Sequence, residues 1–172
     1  MRVVIAGEIF PPEFGGPATF TANLAAQLHA RGHRVSVLYY GDAVERALVP
    51  YRLVRIARRL PKPLRYAVYF IQLARCAAGA EVIYAMGPVN AGLPALLYHL
   101  LTGKPLVVKV VGDYAWEQAV AQGRTTVLLD QFQRRELPGK ISWLRRIQAR
   151  VCRQADLVIT PSEYLRQIVI GW

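Results

Sequence analysis

The sequence predicts an α/β domain of the doubly wound type, with a mostly parallel sheet of six or more strands and the first strand internal. Three observations carry this. Short apolar runs alternate with helical patterns, the runs are rich in β-branched residues, and glycine or proline punctuates the junctions. At 172 residues the chain fits one domain with a full core, spanning 1–172.

The elements follow in order. Arg2 to Ala6 is too short for a helix and is closed by Gly7, as expected of a parallel strand buried on both faces. Pro17 suits the first helical position and Gly32 the left-handed residue just past the helix end, with Thr21, Leu24, Ala25 and Leu28 repeating as the packed face. Arg34 to Tyr40 alternates as strand two, Asp42 to Pro50 is a loop, and Tyr51 to Ala57 is strand three. The break at Pro61-Lys62-Pro63 precedes a helix from Leu64 to Ala78, apolar almost all round through Tyr66, Tyr69, Phe70 and Leu73. Glu81 to Ala85 is strand four, and a helix from Ala91 to Leu101 stops at Gly103. Leu106 to Val111, nearly all β-branched, is a central strand five. Lys109 within it has no explanation in the pattern, since an unpaired buried ammonium is costly. From Gln118 to Gly139 the periodicity is weak: a helix stub is expected first, then a mobile loop from Leu128 to Lys140. Ile141 to Ala155 is a basic amphipathic helix, Asp156 to Thr160 is strand six, and Ser162 caps a last helix.

Composition narrows the class. Although 53% of residues are hydrophobic, no window resembles a membrane-spanning helix, and the first apolar run ends at Glu8, too soon for a signal peptide. Cys76 and Cys152 stand alone and far apart, which points to a reducing, cytoplasmic compartment and no metal site. The net charge of +11 is uneven: Arg46 to Arg75 holds eight basic residues and no acid, and Arg146, Arg150 and Arg153 share one helical face opposite Leu144, Ile147 and Val151. A solvated basic face needs no partner. If the basic stretches form one surface, an anionic membrane fits it better than nucleic acid, for which no binding motif is present, and would place the chain peripherally on the inner face of the cytoplasmic membrane.

Loops at the carboxyl ends of the strands are where open α/β sheets bind ligands. The loop from Glu8 to Gly16 holds Glu13 and the Gly15-Gly16-Pro17 turn, whose small residues admit a ligand close to the backbone, with the N–H groups of Ala18 and Thr19 free to face a phosphate. A plain turn explains the glycines equally well. Met86 to Asn90, with Gly87, faces the same end, and Asn90 is either a cleft residue or a helix N-cap. After strand five come Asp113, Tyr114, Trp116 and Glu117: carboxylates to accept sugar hydroxyls and aromatic rings to stack on sugar faces, with Asp113 alternatively an N-cap. The G-x-G-x-x-G fingerprint of dehydrogenases and the G-K-[ST] phosphate loop are both missing, and Asp42, placed where a ribose-binding acid would sit, is weak support for a nucleotide-dependent oxidoreductase.

These segments carry a resemblance. The opening V-V-I-A-G-E-I-F-P-P-E-F-G-G-P-A-T-F-T-A-N-L-A-A-Q-L-H-A-R-G-H-R-V-S-V-L resembles that of glycosyltransferase family 4, retaining enzymes of the GT-B fold, and V-V-K-V-V-G-D-Y-A-W-E looks like their fifth-strand segment. The ending D-L-V-I-T-P-S-E-Y-L-R-Q-I-V-I-G-W is similar to the end of that family's first domain. The resemblance implies an acceptor-side, Rossmann-like N-terminal domain, with Gly15 and Gly16 near the donor diphosphate at an interdomain cleft. It places Asp113 where the family has a His or Asp lining the reaction centre. The donor would be a nucleotide-sugar, the acceptor a glycan, a lipid-linked sugar or another molecule, as in cell-envelope biosynthesis, and neither cofactor nor metal is called for. The second domain, with its E-x7-E pattern, has no counterpart in these residues, so the isolated chain is expected to be inactive and to share its donor with that missing domain. The alternative is a non-catalytic subunit that docks a separate catalytic chain on the membrane.

Overall fold

The computed structural model describes residues 1–42, 48–135 and 138–172. Its strands are β1 (Arg2–Ala6), β2 (Arg34–Tyr40), β3 (Arg52–Ile56), β4 (Val82–Met86), β5 (Leu106–Lys109) and β6 (Leu157–Ile159). Its helices are α1 (Gly16–Ala30), α2 (Lys62–Ala77), α3 (Gly92–Thr102), α4 (Tyr114–Ala121), α5 (Leu129–Gln133), α6 (Lys140–Gln154) and α7 (Glu163–Ile170). The strands form one sheet in the order β3-β2-β1-β4-β5-β6, and every pairing is parallel. β1 is internal, and the chain reverses direction across the sheet between β1 and β4, which opens a crevice at their carboxyl ends.

The apolar pattern of β1 is explained by burial on both sides. Val4 and Ala6 join the large core with Leu38, Tyr69, Leu73, Ile83 and Val108, while Val3 and Ile5 join a second core with Phe10, Ala25, Val35 and Val37. A third cluster, of Val89, Ala115, Ala119, Phe132, Ile141 and Leu144, closes the sheet's carboxyl end beside β5. Glycines end α1 and α3 in the left-handed conformation, at Gly32 (φ 83°) and Gly103 (φ 67°), and the Ser162 hydroxyl accepts from the Leu165 amide to cap α7.

Two expectations change. The stretch from Leu128 to Lys140 is not a plain loop: Leu129–Gln133 is a helical turn, because Phe132 is wholly buried in the third cluster and anchors it. Lys109 is not a buried bare ammonium. Its side chain leaves the sheet and sets Nζ 3.1 Å from the centroid of the Phe20 ring on α1, a cation–π contact, with partial desolvation lowering its pKa. Positions 43–47 of the Asp42 to Pro50 loop, including Arg46, lie outside the described residues, as do positions 136 and 137. No helix among the described residues is long and apolar enough to cross a membrane.

Candidate functional site

Two adjoining cavities open at the carboxyl ends of the central strands. The larger, about 440 Å³, lies between the starts of α2, α3, α4 and α6 and is lined by Glu8, Tyr40, Tyr66, Asn90 and Tyr114, with Val89, Leu93, Leu144 and Ile147 as apolar wall. The smaller, about 140 Å³, lies toward α1 and is lined by Pro17, Gly87, Gly112 and Glu117. Glu8, Ile9 and Tyr114 belong to both.

Glu8 is the centre of this arrangement. It follows Gly7 directly at the end of β1. Asn90 Nδ2 donates to its Oε2 at 3.0 Å, and Tyr66 in turn donates its hydroxyl to Asn90 Oδ1 at 2.7 Å. The Tyr114 hydroxyl reaches the same amide oxygen at 3.5 Å, and Tyr40 donates to the Asn90 carbonyl at 3.2 Å. Tyr40 is held by stacking on Tyr69 (4.7 Å between centroids), whose own hydroxyl donates to the Gly7 carbonyl. Burial pushes the Glu8 carboxyl up to about 7. The Asn90 hydrogen bond and Arg58 oppose this shift, and Glu117 adds to it. Burial also raises the Tyr40, Tyr66 and Tyr114 hydroxyls, so all three remain protonated donors. Gly87 makes room for the acid: it sits at φ 105°, and a Cβ there would come within 2.7 Å of Glu8 Oε1. A carboxyl that titrates near neutrality and faces a cavity among hydroxyl donors can hold a substrate hydroxyl or exchange a proton with it.

Asp113 is placed differently from the expectation. It is 1% exposed, and its oxygens are occupied by three donors: the Trp116 amide (3.0 Å) and Gln148 Nε2 (2.9 Å) on Oδ1, and Gln133 Nε2 (2.8 Å) on Oδ2. It caps α4 and ties α5 and α6 to it, with no free oxygen aimed at the cleft. Trp116 also turns away: its indole N–H donates to the Val127 carbonyl at 3.0 Å, and its ring packs on the third cluster, so it offers the cleft no stacking face. Asn90 does not cap α3, whose N-cap is Ala91 without a side-chain bond. Its amide serves the Glu8 network instead.

The glycine turn holds fewer amides than its sequence promised. Thr19 N–H is consumed by the Gly15 carbonyl (3.1 Å), Pro17 has none, and Ala18 is fully buried, which leaves Gly15 and Gly16 as the exposed residues of the turn with an amide to offer, and neither lines either cavity. Glu13 lies beside the site, where it pairs with Arg58 at 2.7 Å. Arg58, Lys62, Arg65 and Lys140 stand around the larger cavity. The two basic stretches border different cavities: Arg58, Lys62, Arg65 and Lys140 line the larger one with Trp143, whereas Arg145, Arg146, Arg150 and Arg153 line a separate depression of about 780 Å³ with Trp172. Asp42 is occupied by the amides of Arg58 and Arg59.

Of the residues that the sequence singles out, Asn90, Tyr114, Gly87, Pro17 and Glu117 line these cavities, and Glu8, Tyr40 and Tyr66 line them without having been singled out. Glu8 was visible in principle: an acid immediately after an internal strand stands at the sheet's carboxyl end. Tyr66 had no such signal, since one turn into an apolar helix it is indistinguishable from core.

A family model for a glycosyl transferase 4-like domain matches residues 15–172. No curated protein matches the chain. Among solved structures, one described as a UDP-N-acetylglucosamine 2-epimerase from Listeria monocytogenes aligns with 99% of this chain and 41% of its own, at 14% identity and a TM-score of 0.64. The C-terminal domain of the coenzyme A biosynthesis bifunctional protein CoaBC aligns over 72% of this chain and 71% of its own, at 12% identity, with a TM-score of 0.42 that is too low to bear on the fold. The chain thus spans less than half the length of the epimerase whose fold it shares.

Proposed function

The chain belongs to the glycosyl transferase 4-like family and has the fold of a GT-B N-terminal domain, and from this premise we propose that it is the acceptor-binding half of a retaining, nucleotide-sugar-dependent glycosyltransferase. The observation that carries the proposal is the larger cavity with Glu8 at its base. Its volume of about 440 Å³ suits a sugar-sized acceptor, and its hydroxyl, amide and carboxyl groups match sugar hydroxyls. The donor would lie across the smaller cavity, with the Gly16 amide and the α1 N-terminus toward its diphosphate and Pro17, Gly87 and Glu117 around the transferred sugar. Departure of the nucleoside diphosphate and attack by the acceptor would occur on the same face of that sugar. Glu8 would accept a hydrogen bond from the attacking hydroxyl, and Asp113 would fix α4 beside it. This reading calls for no metal, because backbone dipoles and the cations of a donor-binding domain would offset the diphosphate charge.

Two exposed glycine amides are a poor anchor for a whole nucleotide-sugar. Titration calorimetry on the 172-residue chain should therefore give UDP- and GDP-sugar affinities of about millimolar or weaker, equivalent to roughly 4 kcal/mol or less, and no transfer. Joined to a donor-binding domain it should turn over, and Glu8→Gln should then lower kcat with the fold intact. Micromolar nucleotide-sugar affinity, or turnover by this chain alone, would overturn the half-site arrangement.

A further inference from the structure

The proposed function leaves the acceptor's charge open, and the larger cavity bears on it. Its base is neutral or weakly acidic and hydroxyl-rich, whereas its mouth holds four cations: Arg58, Lys62, Arg65 and Lys140. Of these four only Arg58 has a carboxylate partner among the described residues, Glu13; Lys62, Arg65 and Lys140 have none there within ion-pair distance. Arg65 is fixed in place, with its guanidinium 5.6 Å from the centre of the Tyr40 ring and Nη1 donating to the Arg58 carbonyl at 3.0 Å. These cations come from two separate elements: the segment entering α2, and the first residue of α6. Their mutual repulsion is relieved by an anion at the mouth. None of them lines the smaller cavity, which Pro17 borders at the start of α1, so they are offset from the place assigned to the donor diphosphate.

Resting on the acceptor-site reading above, we infer that the acceptor carries a phosphate group, held at the cavity mouth by Lys62, Arg65 and Lys140 while its hydroxyls reach Glu8 and Asn90. Charge-assisted bonds from several cations to one phosphate are strong and set orientation, so the phosphate would decide which hydroxyl faces Glu8. A free sugar phosphate and a phospholipid headgroup present the same chemistry.

The test is calorimetry on the 172-residue chain with glucose, glucose 6-phosphate and monomeric dihexanoyl phosphatidylinositol, the last two separating a soluble from a lipid source. At least one phosphorylated probe should bind about tenfold or more tightly than glucose. That preference should vanish in Lys62→Ala/Lys140→Ala and persist in Arg146→Ala/Arg150→Ala, which removes the same charge from the other side of α6. Both pairs are exposed, so folding should not be in question. Equal binding of glucose and both phosphates, no binding by any probe, or equal loss in the two double variants would overturn the inference. Because the readout is acceptor binding and not transfer, the phosphate can fail here while the transferase reading stands, and the nucleotide-sugar assay can fail while the phosphate preference stands.

Discussion

Glu8 and Asp113 stand at corresponding places, each just past the carboxyl end of an internal parallel strand, and their environments separate them. Asp113 is satisfied by three N–H donors and closed off from solvent, so its charge is spent on structure. Glu8 has one side-chain donor, a cavity in front of it and a carboxyl raised to about 7. The difference teaches that the position of a carboxylate in an α/β sheet marks it as near the site, and the number of donors already committed to it decides whether it is free to act. An acid with spare acceptor capacity in a poorly solvated cleft is the one poised for chemistry.

The comparison breaks most sharply at Asp113. Asp113→Ala removes the α4 cap and leaves the buried Gln148 amide without its partner, so urea unfolding should show a loss of about 4 kcal/mol, with binding falling only as the fold is lost. If instead the variant folds with unchanged stability and loses only acceptor binding, Asp113 is a site residue after all.

Glu8 should show the opposite signature. Its carboxyl has a higher pKa folded (about 7) than unfolded (near 4.5), so the folded state binds more protons between these values, and stability falls as pH rises through that interval. The shift amounts to about 3 kcal/mol, absent near pH 4 and complete above about pH 7.5. Glu8→Gln removes this dependence, so the variant should match the native chain in acid and exceed it in stability at alkaline pH. Parallel pH profiles of unfolding free energy for the two proteins would remove the argument for a strained acid.

The contrast also explains what the sequence could disclose. The internal place of β1, the cap at Ser162 and the left-handed Gly32 were legible because each depends on local pattern or backbone conformation. The roles of Asp113 and Trp116 were not, because they depend on Gln133, Gln148 and Val127, which are distant in sequence and carry no periodic signal. The short helix α5 was hidden for the same reason: five residues are too few for a pattern, and the burial of Phe132 supplies what propensity does not. The tyrosine hydroxyls around Asn90 come from three separate elements, and only the fold gathers them.

The smallest expected effect on stability lies at the glycine pair, and it separates a turn from a binding surface. Gly15 sits at φ 149°, and a Cβ there would lie 3.2 Å from Ile9 Cδ1, so Gly15→Ala should cost about 1 to 2 kcal/mol through backbone strain. At Gly16 a Cβ meets nothing within 4 Å, and the residue is the first of α1, so Gly16→Ala should raise stability by about 0.5 kcal/mol by restricting the unfolded chain. A larger side chain, as in Gly16→Phe, should also leave the thermal midpoint nearly unchanged, because the space beyond is open. In a two-domain enzyme that open space is where the donor diphosphate is proposed to lie, so Gly16→Phe should raise the nucleotide-sugar KM there while Gly16→Ala changes it little. If both Gly16 variants support transfer at the native rate and KM, the glycine pair is only a turn, and the diphosphate must be held elsewhere.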